Sequence, residues 1–428
     1  MTLKETPCWL DTVTLPTFDN ARPWPVRVDV AVVGGGYTGL SAARTLAKRG
    51  AKVAVLEAQT IGWGASSRNG GMVLTGLKVG ASTLIAGYGL ETARRLFAAS
   101  VASIDCVEQI IRQEAIDCDF SRSGHLDLAF KPAHFKAFAH HVELIAREFN
   151  HSVRLVPKSE LRGEIGSDLY YGGLVDETSA GLNPVRYVAG LARAAEKAGA
   201  ELHEWTPAER VARESSGFRI TTPRGELRAG EVFFATNGYT GSAVPSLQKR
   251  IIPIGSYIIA TETLPDDLAR EVSPRNRMMF DTKNYLYYFR LTPDRRMLFG
   301  GRAGFVPATP DTVRESAEIL RRAMLSVYPQ LRDVKVEYAW GGTLGFTFDR
   351  LPHAGKIDGL HYAMGYAGHG VAMATYLGAK MAEIILGGPN ENPFEGLPFP
   401  TAPLGLYDGN PWFMPLAGWW YRLLDWIS

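Results

Sequence analysis

Gly34, Gly36 and Gly39 stand at GxGxxG spacing behind the apolar run VDVAVV, and the next apolar run, KVAVLE, ends in Glu57. The chemistry this pattern suits is the holding of a diphosphate. The first glycine permits a tight turn, the second lets backbone approach a pyrophosphate, and the third lets a helix pack closely on a strand. A helix opening at Tyr37 and Thr38 then turns its unpaired amides and positive dipole end toward phosphate. Glu57 can accept a hydrogen bond from a ribose 2′-hydroxyl and repels a 2′-phosphate, which disfavours NADP. A GxGxxG alone also occurs in plain linker turns. Here the strand before it, the amphipathic helix after it and the acid closing the second strand supply the missing context.

A second glycine turn lies late in the chain, in GYAGHGVA. A strand ends at Gly365, the turn Gly368-His369-Gly370 lets backbone approach a flat ligand, and a helix starting near Val371 aims its amino end at that ligand. A reduced flavin carries negative charge that such a helix end favours. His369 either donates to the ring or packs against it; a lone histidine is more often structural. Regular βα repetition stops after the strand ending at Glu57, unlike a self-standing NAD domain, and the chain goes on to supply a second site for a ring. FAD is the expected cofactor. His140 and His141, adjacent on one helix, are read as a solvated face. Cys8, Cys106 and Cys118 are widely spaced with no CxxC pair, so neither a metal site nor a disulfide framework is expected, and a reducing, cytoplasmic setting fits.

The elements that must position these groups follow from pattern. The 428 residues allow two domains; 46 basic and 44 acidic residues nearly cancel, and without a basic block no nucleic-acid partner is expected. The N-terminus has charges and prolines where a signal peptide needs an apolar stretch, and no run of apolar residues is long enough to span a bilayer. Phe97, Val101, Ile104, Val107 and Ile111 mark an amphipathic helix over 91–114, and Pro132 opens another over 132–149. Asn183 is placed as N-cap, Pro184 as the first helical residue and Gly199 as the stop of a third. Short strands follow, and alternating strands dominate 250–305. The fold class is thus α/β (α+β): a discontinuous Rossmann-like FAD-binding domain with an inserted mixed or antiparallel sheet for substrate. The expected division is an arm over 1–28, the FAD-binding domain from 29–90, 152–240 and 340–390, the substrate domain from 91–151 and 241–339, and a tail over 391–428.

With GWGASSRNGG after Glu57, ATNGYTG at 235–241, TFDRLPHAG at 347–355 and GYAGHGVA at 365–372, the chain resembles the D-amino-acid oxidase superfamily of FAD-dependent amine oxidoreductases over nearly its whole length. It is most similar to the γ-glutamylputrescine oxidase-like branch, which shares an opening like PCWLDT and an end like YDGNPWFMPLAGWWYR. The resemblance implies that Ala65, Ser66, Arg68, Asn69, Gly70, Gly71 and Met72 wrap the ribityl chain and flavin ring. Arg68 is placed to meet either the pyrophosphate or the flavin edge. Val211 matches a backbone contact to adenine, and Ala235, Asn237 and Gly238 close over the ADP half.

The implied reaction removes a hydride from the carbon next to an amine nitrogen and leaves an imine that water hydrolyses. No side-chain base is required, and no paired-carboxylate or Ser/His/Asp signature is assigned. Substrate recognition falls to the inserted sheet, whose strands carry Tyr257, Tyr285, Tyr287, Tyr288, Arg290 and Arg302; relatives hold a substrate carboxylate with Arg and Tyr from this sheet. Alternate residues on each strand face away. Arg290 and Arg302 are the first choices, with Tyr257 and Tyr287 beside them. Two departures matter. Some relatives tether FAD through a cysteine where this chain has Gly342, so FAD is expected to bind without a covalent link. Some oxidases carry a lysine where this chain reads Arg296 to Phe299, which leaves a dehydrogenase handing electrons to a quinone or protein open beside an oxidase using oxygen. A non-catalytic FAD-bearing subunit is the alternative of another class. In the tail, Trp412, Leu416, Trp419, Trp420, Leu423, Leu424 and Ile427 recur at helical spacing, suiting docking on the body or a second subunit, or contact with a membrane surface.

Overall fold

The strand Arg27–Val33 is buried on both faces: Val30 and Val32 point into one apolar cluster, Ala31 and Val33 into another. A strand covered twice reads as an unbroken apolar run and belongs at the centre of a parallel sheet. The computed structural model, which describes residues 3–18, 23–301 and 309–411, places it there. Its sheet runs in the order 353–357, 360–364, 225–234, 27–33, 53–56, 201–203. Pairing is parallel from 360–364 to 201–203, and antiparallel at the outer 353–357 strand and at the hairpin 210–222 beside 225–234. Helices Tyr37–Lys48, Pro184–Lys197 and Gly370–Ile385 share one apolar cluster with the sheet face they cover.

A second eight-stranded sheet runs 336–346, 252–263, 296–301, 287–291, 278–281, 125–128, 172–176, 154–157. Every neighbouring pair is antiparallel except 278–281 with 125–128. Helix Pro310–Val327 packs across its back, where Leu320, Met324 and Val327 join Ile259, Phe289 and Phe299. The two sheets draw their strands alternately from the chain, so the expected mixed α/β architecture is present.

Local expectations and long-range ones fared differently. Asn183 caps its helix, accepting from the amides of Val185 and Arg186, and Pro132 opens the helix Pro132–Phe149. Sheet membership departs from the expected division. Residues 154–157 and 172–176, assigned to the cofactor unit, supply two strands of the second sheet, as does 340–346. Helix Leu90–Glu114, assigned to the substrate unit, buries Leu96, Ile104 and Val107 in the cluster of the first sheet. An amphipathic period shows that a face is covered and says nothing of what covers it. The arm is also more than extended chain. Lys4 pairs by backbone with Glu337 and Ala339 at the edge of the second sheet, and a 3₁₀ turn over Cys8–Thr12 buries Trp9. Arg302 and the tail residues Trp412 to Ile427 lie outside the described residues.

Candidate active site

Two adjoining cavities run along the seam between the sheets. The larger, about 520 Å³, starts at the head of the first helix. Gly34, Gly36, Tyr37, Thr38 and Glu57 line this end, as the glycine spacing leads one to expect. Gly39 does not line it but makes it possible: a Cβ there would collide with the Gly34 carbonyl oxygen, so only glycine lets the helix sit this close to the strand. The N-cap residue, Gly36, has no side chain to occupy the amides of the helix start. Glu57 accepts from the Gly35 amide at 2.7 Å and the Gln59 amide at 2.9 Å, which fixes its carboxylate on the cavity wall with acceptor capacity to spare. Burial pushes the Glu57 carboxyl upward.

The middle of this cavity is lined by Ala65, Ser66, Asn69, Ala235 and Asn237. Ser66 Oγ accepts from the Tyr37 amide at 3.0 Å, and Asn237 Oδ1 accepts from the Gly365 amide at 2.9 Å. The early and late glycine turns are thereby tied to the segments between them. Gly238 lies outside the cavity, against the next sheet: a Cβ would stand 2.8 Å from the Leu344 carbonyl carbon. Val211 is a correction. It pairs with Ile220 inside the hairpin and does not line the cavity, whose wall there is Pro207, Ala208 and Glu209, ahead of the strand. Gln59, Trp63, Tyr239 and Tyr366 also line the cavity and carry no motif that marks them in sequence.

The cavity ends against Gly368, Gly370 and Val371, which bring the uncapped start of the helix Gly370–Ile385 to its wall. Gly368 and Val371, with Ala65, Asn69 and Leu344, are shared with the smaller cavity of about 160 Å³. That second space is lined further by Arg68, Gly70, Met72, Gly342 and His369, each singled out from the sequence, and by Leu74, Lys78, Ser256, Phe280, Leu286 and Tyr288. His369 is half-buried, with its Nδ1 buried and unpartnered, and burial holds the ring down to about 3, so it is neutral. Arg68 donates to the Trp63 carbonyl at 2.9 Å and the Gly341 carbonyl at 3.2 Å. Gly71 faces away from the cavities, its carbonyl accepting from Arg290.

On the second sheet two of the expected side chains, Tyr257 and Tyr287, give way at the cavity wall to their neighbours Ser256 and Tyr288. Tyr257 points into the core behind the sheet and donates to Thr312 Oγ1 at 3.1 Å; its neighbour Ser256 faces the cavity. Tyr287 packs on Phe299 with ring centroids 5.3 Å apart, while Tyr288 lines the cavity and its hydroxyl lies 3.1 Å from Ser256 Oγ. Arg290 is buried away from the cavity and donates to the carbonyls of Gly71, Leu182 and Leu291; burial pushes it down to about 10. Its Nε and Nη1 are engaged by backbone carbonyls, and its side chain lines neither cavity. Behind the cavity wall, His125 stacks on Phe280 at 5.4 Å, its Nδ1 lies 2.7 Å from Ser179 Oγ, and Asp127 stands 3.6 Å from its other nitrogen.

The arrangement fits a dinucleotide carrying a flat ring: two helix starts, a carboxylate at the sugar end, and an unpartnered ring nitrogen at the far end. A model of the FAD dependent oxidoreductase family matches residues 29–384. The chain belongs to this family. It is similar to the γ-glutamylputrescine oxidoreductase of Escherichia coli, at 34% identity over 94% of this chain and 93% of that one. A probable oxidoreductase of Haemophilus influenzae, OrdL, is also 34% identical, over 88% of this chain and 87% of its own. The glycine oxidase structure from Geobacillus kaustophilus shares the fold, with a TM-score of 0.70 at 22% identity, covering 85% of this chain and 95% of that one. Membership makes the chain an FAD-dependent oxidoreductase, and the alternative of a non-catalytic subunit falls away. Among the described residues no helix is long and apolar enough to cross a membrane.

Proposed function

We propose that the protein oxidises a primary or secondary amine that carries a carboxylate, of the amino-acid or γ-glutamylated polyamine class. One observation carries this reading. The smaller cavity is walled by Met72, Leu74, Phe280, Leu286 and Tyr288, holds the two cations Arg68 and Lys78, and has no Asp or Glu among its lining residues. A wall without acids does not retain a protonated amine, so the amine enters neutral, as its oxidation requires; the cations complement an anionic end. The name of the Escherichia coli relative supports the polyamine side of the class.

FAD, when bound, accepts the hydride equivalent that leaves the carbon next to nitrogen. The chain's own work is different. The apolar wall excludes water, the paired hydroxyls of Ser256 and Tyr288 offer a fixed dipole, and the neutral His369 ring takes no proton over the working range. No group on the wall is needed as a base. FAD is held without a covalent bond: Cys8, Cys106 and Cys118 are free, and none lines either cavity. Three unpaired cysteines also suit a reducing, cytoplasmic setting.

Oxygen is the proposed acceptor. Lys78 puts a positive charge on the cavity wall, where it stabilises negative charge developing on oxygen, so the absence of a lysine between Arg296 and Phe299 does not remove that help. The test follows both acceptors at once: with an acidic amine, peroxide should appear in step with oxygen uptake. Dye reduction without peroxide would instead identify a dehydrogenase. In anaerobic flavin reduction, which involves no oxygen, Lys78→Met should weaken the apparent binding of acidic amines about tenfold or more and leave uncharged amines within about twofold; equal effects on both would remove Lys78 as the anchor.

A further inference from the structure

We infer that the N-terminal arm is part of the flavin site, with Trp9 acting, together with Trp340, as a positioning residue that aims the Gly70 amide into the cavity. Two indoles hold two successive carbonyls of the flavin loop. Trp9 Nε1 donates to the Asn69 carbonyl at 3.0 Å, and Trp340 Nε1 donates to the Arg68 carbonyl at 2.9 Å. Trp9 comes from the arm and Trp340 from the edge strand of the second sheet, yet both are 1% exposed and belong to one apolar cluster with Ile258 and Leu298. Arg290 adds a third donor, to the Gly71 carbonyl, at 2.9 Å. Three side chains from outside the loop therefore pull its carbonyls in the direction away from the cavity.

The consequence follows from peptide geometry. Among the described residues no peptide bond is cis, and in a trans peptide the carbonyl and the following N–H point opposite ways. Fixing the Asn69 carbonyl against Trp9 turns the Gly70 N–H the other way. Gly70 lines the smaller cavity. The amide so aimed is a donor for the electron-rich edge of the flavin ring, and it is set before the ring arrives. A donor fixed in advance costs no reorganisation when negative charge grows on its acceptor.

The arm itself is anchored for this purpose. Asn183 Nδ2 donates to Thr12 Oγ1 at 2.9 Å, Arg186 donates to the Thr12 carbonyl at 3.3 Å, and Tyr338 donates to Asp11 at 2.7 Å. Asn183 also caps its own helix, so the arm is registered to both sheets through residues that have structural duties already.

Phenylalanine at position 9 or 340 keeps an aromatic ring and removes the N–H. In purified holoprotein, Trp9→Phe and Trp340→Phe should each speed FAD release, read as the rise of flavin fluorescence on dilution, by about five- to tenfold. Both should also move the flavin reduction potential to more negative values. Trp24→Phe is the matched control: its indole donates to the Glu226 carbonyl, away from the loop, and its loss should change neither quantity. Unchanged FAD release and potential in both variants, with or without a lower melting temperature, would overturn the inference and leave Trp9 a packing residue. Because no amine enters the experiment, this outcome is separate from any failure of the proposed reaction.

Discussion

Arg290 donates to the Gly71 carbonyl at 2.9 Å and to the Leu182 carbonyl at 3.2 Å, so one buried guanidinium of the second sheet ties together two loops beside the cavities. Arg290→Met leaves the Leu182 and Leu291 carbonyls without that donor and takes one of two donors from the Gly71 carbonyl, which keeps the Leu182 amide; the loss costs about 2–4 kcal/mol. The midpoint of denaturant unfolding should fall accordingly. Catalysis gives the second readout: KM for acidic and for uncharged amines should shift together, whereas a selective loss on acidic amines would return Arg290 to the substrate site.

Tyr287 and Tyr288 offer a paired test of strand register. Tyr288→Phe removes the hydroxyl beside Ser256 Oγ on the cavity wall and should lower kcat/KM about three- to thirtyfold. Tyr287→Phe should stay within about twofold, since its ring packs on Phe299 away from the cavity. The reverse ranking would place the other face of this strand toward substrate.

Glu57 holds two amides with two oxygens, a task glutamine cannot repeat because one of its terminal atoms is a donor. Glu57→Gln should weaken FAD binding on the order of tenfold, measured by flavin fluorescence, with the fold retained. An unchanged affinity would remove the carboxylate from the nucleotide site.

Asp127 sets a pH dependence. Burial, aided by nearby Asp176, lifts its carboxyl to about 8, and its Oδ1 is buried without a hydrogen-bond partner. Between about pH 4 and 8 the folded protein keeps a proton that the unfolded chain has lost, so this group's contribution to stability is present in acid and lost as pH rises. Asp127→Asn does not titrate. The variant should match the wild type near pH 4 and gain on it up to pH 8, then run parallel. With 23% of the side chain exposed, the gain should be a fraction of the limiting value of about 1.4 kcal/mol per pH unit. A stability gap independent of pH would contradict the assignment.

How much of this was legible in the sequence depends on the range of the interaction. Gly34, Gly36 and Gly39, the cap at Asn183 and the proline at 132 report chemistry complete within a few residues, and the structure has it where expected. Tyr257 and Tyr287 failed as substrate contacts because parity on a strand is decided by what covers each face. Here that is helix Pro310–Val327, remote in sequence. Arg290 shares the parity of Tyr288 but lies further along its strand, beneath Gly71, a depth no local pattern encodes. Lys78 sits in a glycine-bearing loop with no periodic signal, and only the fold brings it to the cavity.

The central claim, that an amine gives up its electrons to FAD in the smaller cavity, is tested most directly by adding amines to the purified yellow protein without oxygen. Amino acids, N-methyl amino acids and γ-glutamylated polyamines form the panel. The account predicts that the flavin absorbance bleaches with at least one carboxylate-bearing amine and returns when oxygen is admitted. A flavin that stays oxidised across the whole panel, or that bleaches only with amines lacking a carboxylate, would contradict it.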